Sequence, residues 1–251
     1  MAVRVLGSAG TYPLPGQPSS GFLFESEGFR VWVDAGPGTF PALVTEAGTA
    51  GIDAIFISYR HVDHWLDLAA YFHAVAYGPD RRRGIPLYAH ATVIDALTCA
   101  VGAGEGHPVF DTFAICQLQD HDRFEVGPFR VETSPTVHSV PNLASRWSVG
   151  EASLVYTGDT GPGGDWSGLI QEGDTALMEA SLPPGDVSYP YHLAPDVCAD
   201  IARRRGASTL LLTHIPPHRD RSGALEAASS RFPGEVAAVE PGNTYEIKEK
   251  R

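Results

Sequence analysis

Residue types that bind metal ions are concentrated just after an apolar run near position 57. The stretch ISYRHVDHWLDL begins at Ile57 and contains His61, Asp63 and His64. Imidazole and carboxylate groups together suit Zn, Mn or Fe. Tyr59 stands two residues before His61, and in an extended segment such side chains point to the same side. The stretch therefore predicts a metal site with a phenol beside the imidazoles.

Three further residues of this kind follow other apolar runs. His138 occurs in SPTVHSVPN, Asp159 in LVYTGDT and His214 in LLLTHIPP. Each lies at the carboxyl end of a predicted strand, and strand ends hold functional groups on a rigid frame. A single such histidine is more simply explained as a surface or core residue. The repetition at four strand ends favours one shared site.

The number and type of these residues are sufficient for two metal ions. Two ions about 3.5–4 Å apart need a bridging carboxylate, and Asp159 is the natural bridge. The remaining residues then divide into two ligand sets: His61 and His138 for one ion, and Asp63, His64 and His214 for the other.

The elements that must position these residues can be predicted from hydrophobic periodicity. Short runs rich in Val, Ile, Phe and Tyr, bounded by Gly, Pro or Asp, predict strands along most of the chain. Helical spacing predicts helices over Thr39–Ala47, Trp65–Tyr77, Thr92–Val101, Ala194–Arg205 and Arg221–Ser230. This order fits an α/β fold with two sheets and helices on their outer faces. No linker divides the chain, so we expect a single domain over residues 1–251.

Composition narrows the class of partner. The net charge of −12 opposes binding to tRNA or any other nucleic acid. The three cysteines are far apart and form no CxxC pair, which argues against a disulfide framework and a thiolate zinc site. The chain begins directly with a predicted strand and has no apolar run of membrane-spanning length. We therefore expect a cytoplasmic protein without a membrane partner.

The motifs resemble those of metallo-β-lactamase-fold hydrolases, in the branch of ribonuclease Z and the bacterial cyclic-nucleotide phosphodiesterases. The HxHxDH motif of that family reads YRHVDH here, from Tyr59 to His64. HSVPN, TGDT and the final histidine match His138, Asp159 and His214 in family order. VWVDAGPGT also resembles a family stretch and contains Asp34. The resemblance implies a four-layer αββα sandwich and zinc as the cofactor, as one or two ions, with Mn or Fe as alternatives.

Two more site residues come from the resemblance alone. MEAS, with Glu179, and YHLAPDVCADIARRRG, with His192, are similar to a Glu–His pair of the ribonuclease Z branch. In that branch the pair lies beside the metals and assists proton transfer. The implied catalytic residues are therefore Asp63, His192 and Glu179. Dimers are common in the family, so a homodimer is compatible with the sequence.

Tyr59 departs from the family pattern, because this position normally supplies an imidazole to the first metal. A phenol with a pKa near 10 is a poor zinc ligand unless the ion removes its proton. Three arrangements remain open. Two ions bind, with Tyr59 coordinating or with a weakened first site. One ion binds to Asp63, His64, Asp159 and His214. No ion binds, and catalysis is lost.

These observations predict a metal-dependent hydrolase of a small molecule, in which a metal-activated water attacks the substrate. A phosphodiester, perhaps a cyclic nucleotide, is favoured by the branch that the chain resembles. Ribonuclease Z grips tRNA with a long inserted arm, and the interval from His138 to Asp159 is too short for one. The alternatives are an esterase, lactonase or thioesterase with an altered or mononuclear centre, and a non-catalytic ligand-binding protein on the same fold.

Overall fold

The computed structural model describes residues 1–166 and 168–249. The strands of this part of the chain are β1 (Ala2–Gly7), β2 (Gly21–Ser26), β3 (Phe29–Val33), β4 (Ala54–Ile57), β5 (Ile85–His90), β6 (Phe113–Leu118), β7 (Arg123–Val126), β8 (Phe129–Pro135), β9 (Leu143–Val149), β10 (Ala152–Tyr156), β11 (Thr175–Glu179), β12 (Thr209–Thr213), β13 (Glu235–Ala238) and β14 (Thr244–Glu246). The helices are α1 (Thr39–Ala47), α2 (Val62–Tyr77), α3 (Ala91–Ala100), α4 (Val109–Thr112), α5 (Pro195–Arg204) and α6 (Arg221–Ser229).

The strands form two mixed sheets. One has the order β14-β1-β2-β3-β4-β5-β6 and the other the order β13-β12-β11-β10-β9-β8-β7. Strands β3 to β6 are parallel to one another, and so are β10 to β13. Strand β8 is antiparallel to β9, which is antiparallel to β10, so β8 and β10 run in the same direction. The carboxyl ends of β8 and of β10 to β12 therefore all lie on the same side of the second sheet, where these strands end.

Alternation along the strands explains why the sheets pack together and are covered by helices. In β2, Phe22 and Phe24 enter the core between the sheets, whereas Leu23 faces the helices over the first sheet. In β12, Leu211 faces inward and its neighbours Leu210 and Leu212 pack under α5 and α6. Strands with both faces buried read as continuous apolar runs. The result is a four-layer αββα arrangement, as the sequence predicted.

A tryptophan of the second sheet packs against aromatic rings of the first sheet in the core between them. The ring of Trp147 on β9 makes edge-to-face contacts with Phe24 and Phe56 of the first sheet, each at a centroid distance of 5.4 Å. Such aromatic pairs add about 0.5–1.5 kcal/mol to the burial of their surface. This packing fixes the two sheets relative to each other, and the edges that carry the site residues are fixed with them.

The predicted elements differ from the observed ones at a few places. Helix α2 begins at Val62 rather than Trp65, so Asp63 and His64 lie in its first turn and His61 is its N-cap. A carboxylate in the first turn is favoured by the helix dipole. Strand β7 and helix α4 were not predicted, because each has only four residues and gives too short a pattern. Among the described residues, no helix is long and apolar enough to cross a membrane.

Candidate metal centre

The site residues lie where the carboxyl ends of the parallel strands meet. Asp34 follows β3 directly, His214 follows β12 directly, and Glu179 is the last residue of β11. Tyr59 follows β4 and forms an isolated bridge with Asn142, which precedes β9 of the other sheet. The Asn142 amide in turn donates a hydrogen bond to the backbone oxygen of Asp159. The two sheets are therefore joined directly at the edge that carries the site.

Two glycines allow the surrounding loops to approach the site closely. A Cβ atom on Gly36 would lie 2.0 Å from the backbone oxygen of Asp63, and one on Gly10 would lie 2.4 Å from that of His214. Any side chain there would displace the backbone that carries a site residue. The next residue, Thr11, donates its backbone N–H to Asp63 Oδ2 at 2.9 Å. The glycine-rich opening of the sequence therefore helps to position Asp63.

Three potential ligand atoms lie close together, two of the three distances between them near those of a tetrahedral site and the third, from His64 Nε2 to Asp63 Oδ2, at 3.8 Å. His214 Nε2 lies 3.1 Å from Asp63 Oδ2 and 3.2 Å from His64 Nε2, and all three residues are buried. Ligands about 2.0–2.1 Å from a tetrahedral zinc ion are themselves about 3.3 Å apart. These three residues form one of two groups in the described chain that could hold a metal ion, and the other comprises Asp159, His192 and His214.

The Asp159 carboxylate contributes an atom without a hydrogen-bond partner. Among the described residues, nothing donates to its Oδ1, although that atom is buried. It lies 3.3 Å from His214 Nδ1 and 3.5 Å from His64 Nε2. A buried carboxylate oxygen is costly to leave unsatisfied. Asp159 belongs to the second ligand group, with His192 and His214, but a divalent ion held by Asp63, His64 and His214 would lie close to this oxygen. The four residues Asp63, His64, Asp159 and His214 are here called the metal centre.

Hydrogen bonds outside the metal centre fix the histidine tautomers. His64 Nδ1 donates to Asp34 Oδ2 at 2.7 Å, because a carboxylate can only accept, so Nε2 is the His64 nitrogen that can bind an ion. Ser181 Oγ donates to Glu179 Oε2 at 2.7 Å and is 2.9 Å from His214 Nδ1, which therefore carries a proton. His214 Nε2 faces Asp63 Oδ2 at 3.1 Å and His64 Nε2 at 3.2 Å, so it is the His214 nitrogen that can bind an ion. An ion bound among these atoms would replace the proton that they share.

The electrostatics of the metal centre also favour positive charge. Burial disfavours a charged imidazole at His64, but the surrounding carboxylates, Asp159 first, hold the pKa of His64 well above its usual range. Burial likewise opposes ionisation of Asp63, yet the imidazoles of His64 and His214 lower the pKa of Asp63 to about 2. Carboxylates that stay ionised at such depth need a cation or a proton nearby.

The remaining residues predicted from the first motif lie beside the metal centre. His61 Nδ1 and His138 Nε2 are 3.3 Å apart, and His138 Nδ1 donates to the backbone oxygen of Tyr191 at 3.1 Å. Burial lowers the pKa of both His61 and His138, so these imidazoles are neutral. The Tyr59 hydroxyl donates to Asp159 Oδ2. Burial, and secondly Asp159, raise the pKa of Tyr59 well above its usual value.

The Glu–His pair inferred from the resemblance is a direct contact. His192 Nδ1 donates to Glu179 Oε1 at 2.8 Å and lies 4.0 Å from Asp159 Oδ2. Burial would lower the pKa of His192, but the hydrogen bond to Glu179 and its charge outweigh this and raise the pKa to about 9. Glu179 is fully buried and also accepts from the backbone N–H groups of Thr160 and Ser181. The carboxylate is therefore fixed, and it orients the imidazole beside the metal centre.

The structure brings all of the predicted site residues into one region, but it groups them differently from the sequence analysis. His192 joins Asp159 and His214 as a potential ligand, whereas His61 and His138 belong to neither ligand group. No site role was predicted for Asp34 or Ser181 from the sequence. Asp34 accepts hydrogen bonds from Ser58, His64 and Tyr156. Its φ of 57° is uncommon for a residue other than glycine and marks a constrained position, but a backbone angle cannot be read from sequence.

Comparison with known proteins agrees with this architecture. A family model described as the beta-lactamase superfamily domain matches residues 29–215. The chain is 30% identical over 252 residues to the uncharacterized protein Rv1339 of Mycobacterium tuberculosis, covering 98% of this chain and 92% of that protein. It is 24% identical to ribonuclease Z of Halobacterium salinarum, covering 98% and 97% of the two chains, over an alignment of 304 positions.

The chain is also similar along its whole length to a protein of known structure. The chain is 26% identical to the probable metallo-hydrolase YhfI of Bacillus subtilis, covering 98% of this chain and all of that one. The crystal structure of YhfI superposes with a TM-score of 0.86 at 25% identity, and covers 97% of this chain and 98% of YhfI. The chain is therefore a metallo-hydrolase of the beta-lactamase superfamily.

Proposed function

We propose that this metallo-hydrolase cleaves a small phosphodiester, with a cyclic nucleotide as the first candidate. The observation that carries the proposal is the His192–Glu179 pair beside the orphaned oxygen of Asp159. Asp63, His64, Asp159 and His214 would hold a divalent ion. When bound, such an ion supplies a nucleophilic water at neutral pH and positive charge beside the reacting centre.

We assign to His192 the donation of a proton to a leaving oxygen. Its Nδ1 is held by Glu179, and a fifth of its side chain is exposed, so the ring reaches the solvent side of the buried carboxylate. The alkoxide leaving group of a phosphodiester needs such a proton, and general acid catalysis contributes about 10²–10⁴-fold. Asp63 is fixed by the backbone N–H of Thr11 and is the group that we assign to orient the attacking water.

The surroundings of the site support a small substrate rather than tRNA. Between His138 and Asp159 the chain forms only the hairpin of β9 and β10. The alignment with ribonuclease Z runs over 304 positions against 251 residues here, so that enzyme contains segments that this chain lacks. The net charge of −12 further disfavours a polyphosphate backbone.

An exposed aromatic ring supports a substrate with a planar base. The ring of Tyr189 stacks on His192 with a centroid distance of 5.5 Å and an interplanar angle of 21°, and 47% of Tyr189 is exposed. Aromatic side chains bind bases by stacking on their faces. His192 covers one face of the Tyr189 ring, so we place a base on the other face, with its attached phosphodiester directed past the ring edge toward His192.

The experiment is a substrate panel with purified protein loaded with Zn²⁺ or Mn²⁺. We expect hydrolysis of bis-p-nitrophenyl phosphate and of a cyclic nucleotide, and no turnover after Asp159→Ala. An exposed-histidine variant, His73→Ala on the outer side of α2, serves as the matched control and should retain wild-type rates.

The same panel separates the alternatives. Turnover of lactones or thioesters but not of phosphodiesters would show that the carbonyl-hydrolase alternative is right. Bound metal without turnover of either class would favour a ligand-binding protein. Both results contradict the proposal of a phosphodiesterase.

A further inference from the structure

The Tyr59 side chain occupies the space between three imidazoles of the site. Its ring centroid is 4.8 Å from that of His61, 4.4 Å from His64 and 5.0 Å from His138. The residue has no exposed surface. At this motif position the side chain is therefore part of the site, not a surface replacement, and its bulk lies beside the pair His61 and His138.

The Tyr59 hydroxyl also gives the two carboxylate oxygens of Asp159 different surroundings. Oδ2 accepts the hydrogen bond from Tyr59, whereas Oδ1 lies near His64 and His214 without a hydrogen-bond partner among the described residues. A carboxylate that bridges two ions must direct an oxygen to each ion. The Tyr59 side chain therefore stands against Oδ2, on the side where a second ion would have to bind, whereas Oδ1 is left without a partner among the described residues.

The pair His61 and His138 is short of ligands for an ion of its own. The two ring nitrogens are 3.3 Å apart, and since His138 Nδ1 donates to the Tyr191 carbonyl, His61 Nδ1–H can donate to His138 Nε2. In the chain that the structure describes, no third His, Cys, Asp or Glu completes a ligand group with this pair. Catalytic zinc sites take three protein ligands.

We propose that Tyr59 restricts the site to one metal ion, with its O–H replacing a second ion as the partner of Asp159 Oδ2. The ion is held by Asp63, His64, Asp159 and His214, and Tyr59 acts as a positioning residue for the carboxylate. The inference rests on the proposed function only in requiring that metal binds, and it concerns ion number rather than the reaction.

The test counts ions directly. Protein stripped of metal is titrated with Zn²⁺ and followed by calorimetry and by native mass spectrometry. We expect one tightly bound ion in the wild type, one in His138→Ala, a more weakly bound ion in His64→Ala, and two ions in Tyr59→His. Near-ultraviolet difference spectra during the titration report whether a tyrosinate forms, and we expect no tyrosinate band.

Each other result overturns the inference. Two ions in the wild type, loss of an ion in His138→Ala, or a tyrosinate band would show that Tyr59 does not exclude the second ion. A single ion in folded Tyr59→His would show that another feature sets the number. A wild type that binds no ion overturns this inference and the proposed function together, whereas one ion without hydrolysis overturns the proposed function alone.

Discussion

Asp34 Oδ2 lies 2.7 Å from His64 Nδ1, and both side chains are completely buried. The same carboxylate accepts hydrogen bonds from the Ser58 and Tyr156 hydroxyls and from the Ser58 backbone N–H. Carboxylate–histidine pairs of this kind orient the imidazole and raise its basicity as a ligand. Asp34 thus orients one ligand of the metal centre, His64, without itself being a ligand.

We expect Asp34→Asn to weaken zinc binding by about 10–100-fold. The new amide N–H group would face groups that themselves donate hydrogen bonds, and His64 would lose the carboxylate that orients its ring. The measurement is the zinc Kd by competition with a chelating dye, together with the melting temperature. Tyr156→Phe removes one donor but keeps the carboxylate, so it should change the Kd much less. An unchanged Kd in folded Asp34→Asn would show that the contact is only structural.

A second prediction uses the leaving group to isolate the role of His192. Replacing His192 by alanine should lower kcat for a cyclic nucleotide by about 10²–10⁴-fold. The effect on bis-p-nitrophenyl phosphate should be much smaller, because p-nitrophenolate leaves without a proton. Equal slowing of both substrates would indicate that His192 acts in binding or as a ligand, in line with its place beside Asp159 and His214.

The third prediction concerns Tyr189. Tyr189→Ala should weaken binding of a cyclic nucleotide by about 1–3 kcal/mol, seen as a higher KM, since one base-stacking surface is lost. Tyr77→Ala is the matched control, because Tyr77 is similarly exposed but lies at the far end of α2. If both variants keep the wild-type KM, the base does not stack on Tyr189.

The stability of the second sheet depends on a buried ion pair that the site does not use. Arg146 on β9 makes two hydrogen bonds of 3.0 Å to the fully buried Asp174. Removing one partner of such a pair costs about 3–5 kcal/mol, and we expect this loss for Arg146→Met in denaturant unfolding. Arg130→Met should change the unfolding free energy by about 0.5 kcal/mol or less, because its side chain is 81% exposed. Similar effects of the two variants would contradict this account.

The layer order and the site region could be predicted from sequence because they follow from local patterns. Runs of Val, Ile and Phe mark the strands, and the polar residues of the site come directly after these runs in the sequence. Helix α1, over Thr39–Ala47, was predicted with its observed bounds. Strand β7 was not, because it has only four residues and only one neighbour pairs with it, so its alternation of Arg123, Phe124, Glu125 and Val126 is too short to stand out.

The internal contacts of the site could not be predicted in the same way. The Tyr59–Asp159 hydrogen bond joins residues 100 positions apart, and the Asp34–Tyr156 bond joins residues 122 positions apart. Such contacts depend on how the two sheets meet, not on local spacing. The motif therefore located Tyr59 in the site, but only the packing shows that its hydroxyl satisfies Asp159.

The last prediction is that metal removal destabilises the folded chain. A ligand that binds only the folded state stabilises it by about 2.7 kcal/mol at a hundred times its Kd. For a domain of this size, that corresponds to a rise in Tm of about 5–10 °C. Treatment with a chelator should therefore lower the Tm of the zinc-loaded protein by this amount, and added Zn²⁺ should restore it. Asp159→Ala should show no such response, since Oδ1 is lost. A Tm that is insensitive to chelator in the wild type would mean that the Nε2 atoms of His64 and His214 are held 3.2 Å apart without an ion.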